Sequence, residues 1–195
     1  MQKSVFSERE DCLCKMIAEQ CAPVMFGIKS SNLLIIDPVY EPVLMSIVAG
    51  TGLKVRCFYF GSGRHVWFMY SEKMLIQYLE TPEISEFMRQ FGYKPDMPLG
   101  QVLLHTSKRF RRYKKKELPF PHEMGILLGY PLCDVRGFIE NGGKNYLCSG
   151  YWKVYANQEK ALQTFSRYTR VKEAALQMVR SGIGFQEIRK YSMAF

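Results

Sequence analysis

Three side chains pose the chemical question in this sequence. Cys21, His122 and Glu123 are the residue types that serve as nucleophile, general base and orienting carboxylate in thiol-dependent reactions. That chemistry requires folding to bring residue 21 beside residue 122 and to hold the thiol as a thiolate. Lys29, close by in sequence, would stabilise a thiolate or bind an anion. Two features of the local sequence work against the set. Cys21 falls at the C-terminal end of an expected helix, where the macrodipole disfavours a thiolate. Glu123 directly follows His122, so in a helix it points away from that ring and is placed to satisfy free N–H groups of the first turn.

Metal and phosphate motifs are missing. His122-Glu123 lacks the second histidine of a zincin, because position 126 is isoleucine. Cys12 and Cys14 are two apart, a spacing that sends them to different sides of a helix. With three histidines (65, 105 and 122), a conventional zinc or di-iron centre is not expected. Gly50-Thr51-Gly52 and Gly61-Ser62-Gly63 lack the third glycine of a dinucleotide fingerprint and read as turns. The six cysteines come without an export signal, which suits reduced thiols and a cytoplasmic location. No apolar run approaches the roughly 20 residues of a membrane span, so no membrane insertion is expected.

Charge is concentrated in one place. Lys108, Arg109, Arg111, Arg112, Lys114, Lys115 and Lys116 form a run with no acid in it, and removing these seven takes the net charge from +9 to +2. Such a run serves as a phosphate-binding surface for nucleic acid, as a dock for an acidic protein, or simply as a solvated helix face. Residues 123–139 have the spacing of a helix-turn-helix: Gly125 allows close crossing, Gly129 makes the turn, and Leu128, Val135 and Ile139 are the expected buried positions. The second helix would then expose Leu132, Cys133, Asp134, Arg136 and Gly137, of which Arg136 alone suits base reading. A packed helical corner without DNA contact accounts for the same spacing.

These groups need a scaffold. The length of 195 residues predicts one domain spanning 1–195, long enough to bury a core without staples. Ser7 to Glu10 reads as a capping box opening a helix to about residue 21, with Pro23 preventing continuation. A short strand over 32–37 precedes a helix through 43–49. The β-branched and aromatic segments 54–60 and 64–70 read as a hairpin central to the sheet. Ser71 and Thr81 are placed to cap two helices, the second reaching about residue 91. An amphipathic helix over 98–116 carries the basic face. Short helices at 122–128 and 132–140 form the corner, a strand covers 146–155, and a long helix over 158–181 buries Leu162, Phe165, Tyr168, Ala175, Met178 and Val179. The fold class is α/β or α+β, a small mixed sheet of about four strands, including the 54–70 hairpin, covered by helices.

Three segments carry a resemblance: residues 21–32 (CAPVMFGIKSSN), 120–139 (FPHEMGILLGYPLCDVRGFI) and 142–155 (GGKNYLCSGYWKVY). Together they resemble the bacterial domain-of-unknown-function family DUF3793. The resemblance implies that Cys21, Pro23, Lys29, His122, Glu123, Gly129, Tyr130, Pro131, Cys148, Gly150, Trp152 and Lys153 occupy recurring motif positions. It implies no activity. It associates the family with ferrous-iron uptake and flavodoxin genes, which makes iron or another transition metal a candidate cofactor and a flavodoxin a candidate acidic partner. On this basis Cys21, His122 and Glu123 are candidate catalytic residues, with Lys29, Cys148 and Lys153 as candidate ligand-binding residues. Both a reaction and simple binding are compatible with them.

Overall fold

The computed structural model describes residues 5–191, which cluster into two compact units. One holds the chain up to Glu72 and again from Tyr168; the other is Lys73–Arg167. The architecture is α+β, with a three-stranded and a two-stranded sheet among the described residues, both antiparallel. No described helix is long and apolar enough to cross a membrane.

The first unit is built on α1 (Val5–Met25), β1 (Ser31–Ile36), α2 (Glu41–Val48), β2 (Lys54–Phe60) and β3 (His65–Tyr70). The expected hairpin forms, but it is not central as a whole. The order is β1-β3-β2, so β3 lies between β1 and β2 and β2 is an edge. The β-branched and aromatic residues of β2 do not make it a central strand; only Phe58 of that strand is fully buried, stacked on Phe68 at 4.8 Å. Register runs from Ser31 opposite Tyr70 to Ile36 opposite His65. The amphipathic side of α1 covers the sheet with Leu13, Ile17, Ala18 and Cys21, which join Leu34, Ile36 and Met69 in one core.

α1 also outruns its expected end. It passes through Pro23 to Met25, beginning at Val5 ahead of Ser7, whose side chain lies outside the described residues. Near the end of a helix a proline forfeits a single bond, here to exposed Glu19. The turn closes behind it, with Phe26 N–H on Ala22 O at 2.9 Å and Ile28 N–H on Pro23 O at 2.9 Å.

The second unit contains most of α3 (Glu72–Leu79), then α4 (Pro82–Arg89), α5 (Leu99–Lys114), α6 (Glu123–Leu127), α7 (Leu132–Glu140), and the β4 (Cys148–Ser149) and β5 (Lys153–Val154) ladder. The helix pair α6–α7 matches the expected corner. Gly129 takes φ +68 at the turn, and a Cβ on Gly125 would stand 2.8 Å from Val135. The expected strand over 146–155 is instead a tight hairpin. Gly150 folds it back, with its N–H on Trp152 O at 3.1 Å.

α8 (Gln158–Arg180) runs across the boundary between the units, and α9 (Phe185–Tyr191) follows Gly182, which caps α8 at φ +79. Leu162 was expected inside, yet it is 48% exposed while Ala161 and Phe165 are buried. A one-residue error of phase is 100° on a helix, enough to turn a side chain from core to solvent. α9 has no counterpart in the expectations. Its Phe185 and Ile188 join the core of the first unit, and Arg189 donates to Met25 O at 2.8 Å.

Candidate functional site

In the second unit, the rings of the corner and of the late hairpin enclose a cleft of about 290 Å³. Phe120, His122, Gly125, Leu128, Tyr130, Asp134, Val135, Phe138, Trp152 and Lys153 line it. Each wall has a local cause. Pro121 starts the turn that presents His122 at the N-cap of α6, and Pro131 does the same for α7. Gly125 lets the two helices close, and the hairpin turn brings Trp152 onto Tyr130, stacked at 5.4 Å and 29°. Tyr130 is anchored from behind by the Tyr78 hydroxyl, which donates to its carbonyl at 2.9 Å.

Two basic side chains face this largely apolar space. His122 is half-buried, with Phe120 at 6.0 Å and Phe138 at 5.8 Å between ring centroids. Burial lowers its pKa below the ordinary imidazole value, against the opposing pull of the Glu123 charge. The ring is therefore neutral at pH 7, with one donor and one acceptor nitrogen. Lys153 donates to Gly143 O at 2.7 Å and lies over the rings of Tyr146 (4.9 Å) and Phe138 (5.7 Å). Its ammonium is held by one hydrogen bond and two aromatic faces.

The remaining candidates stand elsewhere. Glu123 is wholly buried and does not line the cleft; it pairs with Arg109 and accepts from the Tyr93 hydroxyl at 3.3 Å, leaving Oε2 without a hydrogen-bond partner. Glu123 thus binds a side chain of α5 instead of the free N–H groups of its own first turn. Cys148 is half-buried on β4 and is not part of the cleft wall.

Cys21 and Lys29 belong to the first unit and are grouped around Asn32. Lys29 Nζ donates to Asn32 Oδ1 at 2.5 Å, and Asn32 Nδ2 donates to Gln20 O at 2.5 Å. The Cys21 thiol donates to Leu33 O at 3.7 Å. Burial pushes that thiol up to about 12, despite the nearby Lys29 charge, so it is protonated at neutral pH and not a ready nucleophile. Burial also pulls Lys29 down to about 8. Among the described residues, no group of three or more His, Cys, Asp or Glu could hold a metal ion. This donor set does not fit iron or another transition metal.

The basic run is only partly a free face. Arg109 turns inward to Glu123, and Arg112 pairs with Glu117 at 3.2 Å. Lys108, Lys114, Lys115 and Lys116 are exposed, and Arg111 is half-buried. On α7 the expected outer face is corrected: Asp134 and Gly137 are buried and Ile139 is 37% exposed. Asp134 is drawn in by three donors, and a Cβ on Gly137 would stand 2.5 Å from the Tyr155 side chain.

A family model described as "Protein of unknown function (DUF3793)" matches residues 17–189. The chain belongs to this family. Among curated proteins and among solved structures, none matches it. In this DUF3793 protein, several residues of the segments that carry the resemblance have structural work. Gly150 sits where a Cβ would stand 2.4 Å from Phe165, Gly129 supplies a positive φ, and Trp152 stacks in the cleft wall. His122 and Lys153 are the residues with basic groups that line the cleft. Asp134 is the important side chain that the sequence did not single out. By helical phase it falls on the expected outer face of α7, whereas the structure buries it.

Proposed function

We propose that the cleft of the second unit binds a small, flat ligand carrying an anionic or hydrogen-bond-accepting group. The observation that carries this reading is the composition of the cleft wall. Rings from three segments supply flat apolar surface, while Lys153 and neutral His122 supply charge and directed hydrogen bonds. Ligand sites are commonly apolar hollows of a few hundred Å³ with a small number of placed polar groups. Binding, not thiol chemistry, is the role these groups support, since Cys21 is a neutral, buried hydrogen-bond donor.

Trp152 makes the proposal measurable. The sequence has two tryptophans, Trp67 and Trp152, so Trp67→Phe leaves emission from the cleft alone. Titration with indole-3-carboxylate is expected to change that emission and to give saturation transfer to the ligand, whereas cyclohexanecarboxylate gives far less. Lys153→Met and His122→Ala should each weaken the effect. Silence of Trp152 towards both acids would overturn the reading.

A further inference from the structure

We infer that the flat ligand of this cleft is a nucleobase, presented on a single-stranded nucleic acid whose phosphates lie along the C-terminal half of α5. The inference rests on the cleft reading and adds the class of ligand. Its basis is a continuous row of rings leading from the basic helix into the cleft. Tyr113 of α5 stands 5.2 Å from Phe120, Phe120 stands 6.0 Å from His122, and His122 stands 5.8 Å from Phe138. Lys153 then bridges Phe138 and Tyr146. Tyr113, Phe120 and Tyr146 are each exposed, by 37%, 39% and 44%. Exposed rings in series, with cations beside them, are what successive unstacked bases require.

Charge selects the same partner. Residues 73–167 hold fifteen Lys and Arg against nine Asp and Glu, so this unit carries +6 of the chain's +9. The cations concentrate at the end of the row where Tyr113 lies, with exposed Lys108, Lys114, Lys115 and Lys116 on or just after α5. A duplex is a poorer match. Its base faces are closed to ring stacking, and α7, with Asp134 and Gly137 buried, presents Arg136 but no row of base-reading side chains. A purely cationic dock for an acidic protein would not need the exposed rings.

The test uses the full chain with fluorescein-labelled thymidine and uridine dodecamers, read by anisotropy. Binding is expected to weaken with salt with a log–log slope of about −2, the value for about three phosphates of a single strand. Phe120→Ala and Tyr113→Ala should each cost about tenfold in affinity, since base–aromatic stacking is worth that much by alanine substitution. Lys108→Gln with Lys115→Gln should flatten the salt slope, and a duplex of the same length should bind more weakly. Trp152 emission in the Trp67→Phe background should respond to the dodecamer.

Affinity unchanged by both ring substitutions, or matched by polyglutamate, would overturn the inference and leave a plain cationic surface. Equal affinity for thymidine monophosphate would overturn the strand in favour of a free nucleotide. If indole-3-carboxylate perturbs Trp152 while no oligonucleotide binds, the nucleic-acid inference fails and the cleft reading stands. If oligonucleotides bind while Trp152 is silent to them and to indole-3-carboxylate, both fail.

Discussion

The Asp134 carboxylate, buried on α7, accepts the indole N–H of Trp152 at 2.7 Å. Its second oxygen takes the backbone N–H groups of Tyr155 at 2.7 Å and Ala156 at 3.1 Å. One buried acid therefore fixes a cleft ring and the end of the late hairpin to α7.

Substitution of this acid should be costly. Asp134→Ala leaves one buried and two half-buried donors without an acceptor, and bonds to a charged group are each worth about 1.5–3 kcal/mol. A loss of roughly 3 kcal/mol or more is expected, seen as a lower urea midpoint when unfolding is followed by Trp152 emission. Asp134→Asn keeps one acceptor oxygen but sets an amide N–H against the Trp152 N–H. It should fall between the wild type and the alanine variant. Equal stability of all three would show that the indole and backbone N–H groups find water instead.

The glycines separate into two kinds, and alanine substitution should distinguish them. At Gly137 a Cβ would stand 2.5 Å from Tyr155 Cβ and Cγ, on a packed ring that cannot swing away cheaply. Overpacking of this sort costs about 1–3 kcal/mol. At Gly100, in the first turn of α5, nothing lies within 4 Å of the added methyl. Gly100→Ala should therefore stabilise, by up to about 1 kcal/mol from helix propensity alone. Thermal unfolding of the two variants should move in opposite directions.

Local signals in the sequence were enough for the corner, for α5 and for the hairpin, because their periodicity, prolines and turn glycines act over a few residues. They were not enough where the deciding partner is far along the chain. Asp134 looks like a solvent residue until Trp152, Tyr155 and Ala156 arrive from about 20 residues away. Arg109 reads as one more cation of a run, yet Glu123 draws it inward. α9 is too short to announce itself by periodicity and is held by contacts with α1 and α2. The cleft was half legible: the family resemblance pointed to His122 and Lys153, but also to Cys21, a thiol sealed in another core.

That thiol and its lysine give the first unit an alkaline signature. Lys29 has its pKa lowered by burial from 10.5 to about 8, so between these values the unfolded chain binds the extra proton. Stability contributed at this site therefore rises as pH climbs from about 8 towards 10.5. Cys21 acts in the opposite sense: its pKa rises from 9.0 to about 12, so the unfolded thiol ionises first and stability falls across that window. Lys29→Met should abolish the gain just above pH 8, and Cys21→Ala should lessen the loss above pH 9, in urea midpoints measured across pH. A Lys29→Met profile that matches the wild type would show that the ammonium is solvated in the folded state.

Arg109 and Glu123 should prove strongly coupled. Removing Arg109 leaves a wholly buried carboxylate without its cation, a change that typically costs about 3–5 kcal/mol. Arg109→Met alone is expected to destabilise by that order, whereas Arg109→Met with Glu123→Gln should recover much of the loss. His122 reports the same pair from the other side. The Glu123 charge raises its pKa and the Arg109 charge lowers it, beneath the larger lowering by burial. Glu123→Gln should thus move the His122 titration further down, and Arg109→Met should move it up, in ring-proton NMR across pH. Because the folded pKa is depressed, the unfolded imidazole takes up its proton first on acidification, and this contribution to stability falls below about pH 6.5. Shifts of the same sign in both variants would mean that the ring senses a change of burial, not the two charges beneath it.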